Sequence, residues 1–360
     1  MSRTLLDSAH AIAGQFDIHG ELADLQPYHR GHIHDTFISS WRKGETVSRY
    51  LHQRLNDHVF TDIPALMHNI ERVTQHLSEQ SMMDGFQALK LVSTQESRSY
   101  VMHPSGSWRT YRFVENTDTF DLCESADQAH EAARAFGLFQ ARLIDLDAES
   151  LRETIPHFFS SPFRMVQFQD ALDSDPKDRA KGVAKELGFV QERVPMATVI
   201  DERIEAGAFP TRVVHGDTKL NNVLFDKDTG KATCIVDLDT CMPAYSLYDF
   251  GDLVRFTAAM SAEDETDLAK VGTDIELYRA LVDGYLEGAG SFLTREEIEL
   301  MPFTARLVTF TIGVRFLADY LAGDVYFKTE RSEQNLDRAR VQFRMVECME
   351  EREEEMAYRR

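Results

Sequence analysis

The sequence predicts an α+β protein of two lobes: a strand-rich N-lobe over residues 1–117 and a larger, mainly helical C-lobe over residues 118–360. Short runs of β-branched and aromatic residues, separated by turn residues, fill most of the first third of the chain. Beyond Asn116, apolar residues recur at helical spacing almost to the C-terminus. One short interruption, around residues 211–238, returns to strand patterns. Strands that come first and helices that follow are typical of an α+β fold.

The N-lobe begins with a predicted hairpin. "DTFISSW" (35–41) and "ETVSRYLHQRL" (45–55) flank Lys43 and Gly44, which suit a hairpin turn. A helix is predicted from Pro64 in "PALMHNIERVTQHLSEQ", because its apolar residues recur at helical spacing and Pro is favoured in a first turn. Strands are then predicted in "ALKLVST", "SYVMHP" and "SWRTYRFVEN".

The C-lobe is predicted to consist of helices around one hairpin. Residues 125–146 form an Ala-rich amphipathic helix with Ser125 as its N-cap. Two strands, "VLFD" and "KATCIVD", are joined by the turn residues "KDTG". The tail, residues 335–360, reads as a charged helix with a solvated acidic face.

Composition excludes some classes of protein. The 60 acidic and 39 basic residues leave a formal charge of −21, which argues against a nucleic-acid partner but not against a nucleotide enzyme. The four cysteines are scattered without a CxxC pair, as expected for reduced thiols in a cytoplasmic protein. The start has no sustained apolar stretch of a signal peptide, and no apolar run approaches the roughly 20 residues of a membrane span. We therefore expect no membrane partner.

The segment "VVHGDTKLNNVLFD" (213–226) carries the main chemical signal. It places an acid, a cation and an amide in one loop between two strands, as Asp217, Lys219 and Asn222. A carboxylate can take the proton of an attacking hydroxyl, an amide oxygen can hold Mg²⁺, and an ammonium can offset charge on a phosphoryl group. We expect His215 to pack and orient the loop instead of performing chemistry.

The hairpin that follows supplies a further carboxylate. If the "TG" dipeptide forms a two-residue turn, Asp228 faces Lys231 and Asn222 lies opposite Asp237, subject to a register slip of one or two residues. Asn222 and Asp237 are then candidate Mg²⁺ ligands, with Asp239 a possible second carboxylate ligand. A nearby "YDFGD" contains the letters Asp-Phe-Gly but no hairpin, so we expect its two acids, Asp249 and Asp252, to anchor the loop through backbone hydrogen bonds.

The spacing H-x-D-x-K-x-x-N matches the kinase catalytic-loop pattern. At these residues the chain resembles the aminoglycoside phosphotransferase and choline kinase-like group, whose members have a two-lobed, protein-kinase-like fold. The resemblance narrows to the N-acetylhexosamine 1-kinases, which use ATP and Mg²⁺ to phosphorylate the anomeric hydroxyl of N-acetylglucosamine or N-acetylgalactosamine. The segments that carry it are "GHIHDTF", "YLHQRLNDHVF", "WRTYRFVEN", "HGDTKLNNVLFD", "VDLDTCMP" and "GVRFLADYLAGDVYFK".

The resemblance implies a set of nucleotide-binding residues. "GHIHDT" takes the place of the phosphate-covering loop, although it has one Gly where protein kinases have three, and His32 is expected near substrate. Arg54 replaces the usual Lys of the third strand and supplies its cation in fork geometry. Glu71 is the candidate partner of Arg54. "FVEN", which contains Glu115, fits the lobe connection whose backbone meets adenine.

The same resemblance implies three sugar-binding residues, with Asp217 as the base. Arg315 and Tyr326 match an Arg and a Tyr that help hold the sugar, and Phe256 matches an aromatic residue before the last helices. Arg315 could instead form a buried structural ion pair with Asp319 or Asp324. Phe256 could equally belong to the core.

Three neighbouring histidines allow another interpretation. His29, His32 and His34 include residues spaced i and i+2 on one strand face, which could suggest zinc. No fourth ligand follows at a suitable spacing, so we favour a loop over the nucleotide or the sugar.

The leading hypothesis is an ATP- and Mg²⁺-dependent sugar 1-kinase that acts on an N-acetylhexosamine. One alternative keeps the chemistry but changes the acceptor to an aminoglycoside, choline or another small alcohol. A second alternative is a catalytically inactive nucleotide-binding protein on a kinase fold. The sequence makes no prediction of oligomeric state.

Overall fold

A computed structural model describes residues 3–29, 33–80 and 85–357. The chain divides into two compact units. The first comprises residues 1–118, 145–155 and 224–243, and the second comprises residues 119–144, 156–223 and 244–360. The segments 145–155 and 224–243 therefore group with the N-terminal unit, whereas the sequence analysis had placed both in the C-lobe.

The helices are α1 (Arg3–Ala13), α2 (Ile63–Glu79), α3 (Ala126–Arg142), α4 (Ser161–Ser174), α5 (Ala184–Arg193), α6 (Val199–Glu205), α7 (Ser246–Thr257), α8 (Ile275–Ala289), α9 (Arg295–Ala322), α10 (Gln334–Glu351) and α11 (Glu353–Met356). The strands are β1 (Glu21–Pro27), β2 (Asp35–Lys43), β3 (Thr46–Arg54), β4 (Tyr100–His103), β5 (Gly106–Arg112), β6 (Thr117–Asp118), β7 (Arg212–Val214), β8 (Val223–Asp226), β9 (Ala232–Ile235) and β10 (Met242–Ala244). An antiparallel sheet and a mainly helical remainder confirm the predicted α+β class.

The first unit is built on an antiparallel sheet in the order β1-β2-β3-β5-β4. The predicted hairpin is confirmed: β2 pairs with β3 from Asp35 opposite Arg54 to Lys43 opposite Thr46. Gly44 turns the chain with φ +63°, a left-handed conformation that costs Gly little.

The predicted strand "ALKLVST" is not formed as a regular strand. It makes isolated bridges and irregular bonds along β5, including Arg112 N–H to the Lys90 carbonyl at 2.8 Å and Val92 N–H to the Thr110 carbonyl at 2.8 Å. Because β4 ends opposite Arg109, this segment covers the edge of β5 that β4 leaves open. The helix α1 and the strand β1 were not predicted.

A buried polar chain crosses the apolar side of this sheet. His52 is fully buried, and its two ring nitrogens lie 2.7 Å from Ser39 Oγ and 2.7 Å from Thr110 Oγ1. Trp41 Nε1 donates to Ser39 Oγ at 2.9 Å. The packed residues around this chain include Phe16, Phe37 and Trp108. A buried network of this kind is stable because each of its polar groups has a partner.

This network predicts acid sensitivity. Burial lowers the pKa of His52 from 6.5 to about 4. The unfolded chain therefore binds a proton near pH 6.5 that the folded chain does not bind until about pH 4, so the free energy of unfolding falls as pH drops through that window. The contribution is about 3 kcal/mol. We expect His52→Gln to remove it, as measured by urea unfolding at several pH values between 4 and 7.

The exposed His19 provides the control. The stability of His19→Gln should follow that of the wild type across this pH range. A constant stability difference between the wild type and His52→Gln from pH 7 to pH 4 would contradict the assignment.

The second unit is organised around α9. A capping box between Thr294 and Glu297 starts this helix, and Gly323, at φ +100°, ends it. α4, α7 and α10 pack along it. Elsewhere α3 crosses α8 so closely that a Cβ on Gly284 would lie 2.1 Å from the His130 carbonyl oxygen. Gly284 therefore permits the α3–α8 contact.

The prediction that no apolar run is long enough for a membrane span does not hold for α9. It is the one described helix that is long and apolar enough, and 61% of its most apolar window is buried inside the protein. That burial is the pattern of a core helix. The four cysteines are free, as the scattered spacing predicted.

Candidate active site

Three side chains of the loop after β7 converge in the second unit. The Lys219 ammonium lies 2.8 Å from Asp217 Oδ1 and 3.1 Å from Asp217 Oδ2. The Asn222 amide donates to the Asp217 carbonyl at 2.8 Å and to Asp217 Oδ2 at 3.2 Å. The Asp217 side chain is partly exposed, at 19%. The acid, the cation and the amide predicted from spacing therefore form one cluster with an accessible carboxylate.

The orientation of Asn222 suits a hard metal ion. Its amide nitrogen is used on Asp217, so its Oδ1 points away from that carboxylate. No described residue donates a hydrogen bond to Asn222 Oδ1. An amide oxygen of this kind, together with a carboxylate and phosphate oxygens, fits Mg²⁺. Within the described residues no group of three or more His, Cys, Asp and Glu could hold a metal, so any Mg²⁺ site needs amide, phosphate or water oxygens as well.

Two acids of α7, one buried and one partly buried, hold the loop. Asp249 is 1% exposed, and it accepts His215 N–H and Gly216 N–H, each at 2.8 Å, together with the Gln140 amide. Asp252 Oδ2 accepts Thr218 N–H at 3.1 Å. Burial raises the pKa of Asp249 although His215 opposes the shift. The "YDFGD" acids thus have the anchoring hydrogen bonds that the sequence analysis expected, and they lie on a helix.

His215 is a packing residue. Its ring is fully buried and meets the rings of Phe136 and Phe139 edge-on, with centroids 5.3 and 5.6 Å away. Its Nδ1 accepts Asp217 N–H at 3.2 Å. His215 therefore fixes the backbone that carries Asp217, in agreement with the prediction.

The β8–β9 hairpin has a different register from the predicted one. Asp226 N–H donates to the Lys231 carbonyl at 2.9 Å, and Gly230 N–H donates to the Asp226 carbonyl at 2.8 Å. Gly230 has φ +68°, so it forms a bulge and the turn has four residues. Asp226, not Asp228, faces Lys231, so the predicted two-residue turn was wrong. The register is shifted by two residues, which is within the slip that the prediction allowed, and Asn222 is not paired directly with Asp237.

Asp237 has a backbone conformation that is unusual outside glycine. Its φ is +63°, in the left-handed region that Asp and Asn adopt more readily than other residues. Strained positions of this kind are concentrated at functional sites. Asp237 stays a predicted metal ligand on this ground and on the chemistry of its carboxylate.

Asp239 is engaged by other groups in the first unit. It is 2% exposed and its carboxylate binds the Arg109 guanidinium through both oxygens, with Nη2 to Oδ2 at 2.8 Å. His34 Nε2 donates to Asp239 Oδ2 at 2.9 Å, while His34 Nδ1 accepts Asn56 N–H at 3.1 Å. Burial opposes the charge of Asp239, but Arg109 and His34 outweigh it, and the pKa of Asp239 lies well below its ordinary value. A metal ion could bind Asp239 only by displacing these partners.

Among the nucleotide-binding candidates of the first unit, Arg54 has a different partner from the predicted one. Arg54 Nε donates to Asp35 Oδ2 at 2.8 Å, and Arg54 Nη1 donates to the Ser105 carbonyl at 3.1 Å. Glu71, the expected partner, is exposed on α2. Asp35 therefore replaces Glu71 as the partner of Arg54. His32 lies outside the described residues.

The segment "FVEN" contains a backbone N–H group, that of Glu115, without a hydrogen-bond acceptor among the described residues. The Glu115 carboxylate pairs with Arg49, whose guanidinium also lies 4.2 Å from the centre of the Phe113 ring. The Val114 carbonyl accepts Thr117 Oγ1 at 3.1 Å. None of the described residues bonds to the backbone N–H of Glu115. A nucleotide base could use that N–H.

Arg315 lies against two aromatic rings near the end of α9. Its guanidinium carbon is 5.9 Å from the ring centre of Tyr326 and 5.5 Å from that of Phe327. The structural alternative, an ion pair with Asp319 or Asp324, is not formed because both acids are used elsewhere. Asp324 pairs with Arg179 at 2.7 Å.

Asp319 builds the loop that carries Tyr326. Its Oδ1 accepts the N–H groups of Val325 at 3.0 Å and Tyr326 at 2.8 Å, and its Oδ2 accepts Phe327 N–H at 3.0 Å. Asn335 Nδ2 donates to the same Oδ2 at 2.9 Å. Asp319 is a positioning residue for Tyr326, a role that the sequence analysis did not identify. A charged residue in the middle of the apolar stretch "VRFLADYL" was the available signal.

Phe256 is half-buried between two cations. Arg255 lies 3.7 Å from its ring centre and Lys219 Nζ lies 5.1 Å from it. The ring therefore borders the Asp217 cluster directly and is not enclosed in the core.

Solved structures share this fold along nearly the whole chain. An aminoglycoside phosphotransferase from Alicyclobacillus acidocaldarius subsp. acidocaldarius DSM 446 is 13% identical, with 96% of each chain covered and a TM-score of 0.61. A microcompartment-associated aminopropanol kinase is 15% identical, with 99% of each chain covered and a TM-score of 0.59. A spectinomycin phosphotransferase in complex with ADP and spectinomycin is 11% identical, covers 95% of this chain and 98% of its own, and has a TM-score of 0.53. The fold is thus one that small-molecule kinases use.

The family assignment comes from a match over residues 24–293, well over half of the chain, to the model described as the phosphotransferase enzyme family, APH. The chain belongs to this family and is a phosphotransferase. The family part of the predicted resemblance is confirmed.

Proposed function

We propose that this phosphotransferase moves the γ-phosphoryl group of ATP, with Mg²⁺, to the anomeric hydroxyl of an N-acetylhexosamine and forms the sugar 1-phosphate. The observation that carries the proposal is the cluster of Asp217, Lys219 and Asn222 on a loop anchored by two acids of α7. Family membership supports the phosphoryl transfer, and the sequence resemblance supports the sugar.

Asp217 acts as the general base. Its carboxylate is accessible and is held in place by Lys219 and Asn222, so it can accept the proton of the attacking hydroxyl. The Lys219 ammonium offsets negative charge on the phosphoryl group as it moves. Phosphoryl transfer depends mainly on positioning and electrostatics, which a rigid loop of this kind provides.

Asn222 and Asp237 are the proposed Mg²⁺ ligands. The metal ion, when bound, neutralises charge on the nucleotide phosphates. Asn222 suits this role because its oxygen is free of hydrogen bonds from described residues, and Asp237 because it is a carboxylate at a strained position. Asp239 is the weaker candidate, since Arg109 and His34 occupy its oxygens.

ATP is the proposed phosphoryl donor. A neighbour of the same fold binds ADP, and the unused N–H of Glu115 suits recognition of a base by backbone groups. We assign Arg54 and His32 to the phosphates on the sequence resemblance. Glu71 stays a nucleotide-binding candidate on the sequence resemblance alone, since Asp35 is the partner of Arg54.

The acceptor site is assigned to Arg315, Tyr326 and Phe256. Guanidinium and phenol groups donate hydrogen bonds to sugar oxygens, and an aromatic ring packs against a sugar face. All three lie in the second unit together with Asp217.

The role of Asp319 gives a quantitative prediction. Asp319→Asn keeps the shape of the side chain but replaces a charged acceptor of three backbone N–H groups with a single neutral acceptor. We expect a loss of about 2 kcal/mol in the free energy of unfolding. We also expect the KM for the acceptor to rise about tenfold with a smaller change in the KM for ATP. Steady-state kinetics and urea unfolding measure the two effects.

Asp173→Asn, an exposed change on α4, is the control and should alter neither quantity. If Asp319→Asn changed the two KM values equally, Asp319 would be a general stabilising residue and not a positioning residue for Tyr326.

The proposal is tested by mixing purified protein with Mg-ATP and a panel of neutral hexoses, N-acetylhexosamines, aminoglycosides and amino alcohols. We expect ADP release with N-acetylhexosamines and an acid-labile sugar phosphate as product. ADP release only with cationic acceptors would contradict the sugar assignment and favour an aminoglycoside or amino alcohol as the acceptor. Nucleotide binding without ADP release for any acceptor would favour an inactive protein.

A further inference from the structure

Two helices of the second unit, α4 and α9, pack against each other. Near the start of α4, Ser161 Oγ lies 2.9 Å from Thr311 Oγ1. Just beyond the end of α4, Arg179 bonds the Tyr320 carbonyl at 2.6 Å and Asp324 at 2.7 Å. The earlier residue, Ser161, meets the earlier part of α9, and the later residue, Arg179, meets its end. We infer that α4 and α9 run in the same direction, so that residues one turn beyond Ser161 and one turn beyond Thr311 face each other.

Those residues are Arg164 and Arg315, three and four positions further on. Arg164 is 9% exposed, and its described partners are neutral: Gln167 Oε1 at 2.7 Å and the Phe158 carbonyl at 3.3 Å. Its Nε is buried without a hydrogen-bond partner among the described residues. Arg315 rests on the rings of Tyr326 and Phe327.

No carboxylate of the described residues forms a salt bridge with either guanidinium. Asp319 is used by three backbone N–H groups and Asp324 by Arg179. Asp252, which attracts Arg315 from α7, pairs with Arg255 at 3.1 Å. Arg255 is itself a cation that repels Arg315.

The electrostatics agree with this geometry. Burial and the charge of Arg315 lower the pKa of Arg164 to about 10. Burial also lowers the pKa of Arg315, and Arg255 adds to the shift while Tyr326 and Asp252 oppose it. A buried cation beside a second, partly buried one costs folding free energy, and a bound anion removes that cost.

We propose that Arg164 and Arg315 bind a negatively charged group of the acceptor, a carboxylate or a phosphate. The preferred substrate is then an acidic derivative of the sugar, and the neutral sugar is a weaker substrate. The inference rests on the proposed function for the location of the acceptor, since Arg315 and Tyr326 are the proposed acceptor residues. Guanidinium groups bind both kinds of anion through paired hydrogen bonds. The same two charges disfavour a cationic acceptor.

The experiment uses three sugars that share one ring and a free anomeric hydroxyl: N-acetylglucosamine, its 3-O-lactyl ether, which carries a carboxylate, and its 6-phosphate. Calorimetric binding to the wild type and ADP release with Mg-ATP are both measured. We expect at least one acidic sugar to bind about tenfold or more tightly than the neutral one. Comparison of the two acidic sugars identifies the anion as carboxylate or phosphate.

Arg164→Gln removes one charge. We expect the affinity for the preferred acidic sugar to fall about 10- to 100-fold, with a change below about threefold for N-acetylglucosamine. Without ligand, this variant should be at least as resistant to urea as the wild type, because a repulsion is removed. Arg295→Gln, on the exposed first turn of α9, is the matched control and should bind all three sugars as the wild type does. If Arg164→Gln does not fold, Arg164→Lys is used, for which we expect an intermediate loss for the acidic sugar alone.

The outcomes separate the two proposals. Equal binding of neutral and acidic sugars, or an equal loss for both in the Arg164 variant, overturns the anion site while leaving the kinase proposal intact. Selective binding of an acidic sugar that Arg164→Gln abolishes, without ADP release for any acceptor, supports the anion site and overturns the proposed reaction.

Discussion

Replacing Asp217 by Asn is expected to lower the rate of phosphoryl transfer by about 10³-fold and to leave the affinity for ATP within about threefold of the wild type. The amide has nearly the same shape as the carboxylate, so the loop keeps its geometry. The amide, however, cannot accept the proton of the attacking hydroxyl. Steady-state kinetics give the rate, and calorimetry with a non-hydrolysable ATP analogue gives the affinity.

The control is Asp121→Asn. Asp121 is an exposed acid that bonds Asn221 of the same loop at 3.1 Å. It should lose less than about threefold in rate, because its carboxylate does not touch the Asp217 cluster. An Asp217→Asn enzyme with more than a tenth of the wild-type rate would show that the base is another group. A variant that lost ATP binding and kept its rate at saturation would point to a nucleotide-binding role.

Breaking the buried Arg109–Asp239 pair is expected to have the largest effect on stability. Arg109 is 1% exposed and Asp239 is 2% exposed. Arg109→Met leaves the Asp239 charge buried with a hydrogen bond from His34 in place of the ion pair. We expect a loss of about 3–5 kcal/mol in the free energy of unfolding. Asp239→Leu should cost a similar amount, because it leaves the guanidinium unpaired. Urea unfolding at pH 7 measures each change.

The double variant Arg109→Met with Asp239→Leu separates charge burial from packing. We expect it to be more stable than either single variant, since no unpaired charge remains. Arg49→Met, which breaks an exposed pair with Glu115, is the control and should cost about 1 kcal/mol or less. Additive losses in the double variant would show that the two side chains contribute independently.

The parts of the fold that the sequence predicted are those with local causes. The β2–β3 hairpin follows from two alternating segments and Gly44, and α3 follows from a Ser125 cap and apolar spacing. The Asp217, Lys219 and Asn222 cluster was also predictable, because its members are at most five residues apart on one loop. Asp249 and Asp252 were assigned correctly because the sequence offers no hairpin at that position.

The parts that were missed depend on long-range contacts or on backbone detail. Arg109 and Asp239 are 130 residues apart, and nothing local in "WRTYR" indicates a buried ion pair. The hairpin register shifted because Gly230 adopts a left-handed conformation and adds a bulge, a choice that "KDTG" permits but does not require. Glu71 was named as the partner of Arg54 by analogy with other kinases, whereas the cross-strand register places Asp35 directly opposite Arg54.

The acceptor site shows the same limit. Arg315 and Tyr326 were named from a resemblance, whereas the proposed acceptor site also depends on Asp319, which holds the Tyr326 loop, and on Arg164, which comes from another helix. Both contributions appear only when α4, α9 and the loop after α9 are seen together.

The most direct test of the central claim is a ³¹P NMR time course of the purified protein with Mg-ATP and an N-acetylhexosamine, or its acidic derivative. The account predicts that the γ-phosphate signal of ATP is replaced by ADP and by a phosphate that couples to the anomeric proton of the sugar. If the phosphate appeared on a different hydroxyl, or stayed on ATP for every sugar, the proposed reaction would be contradicted.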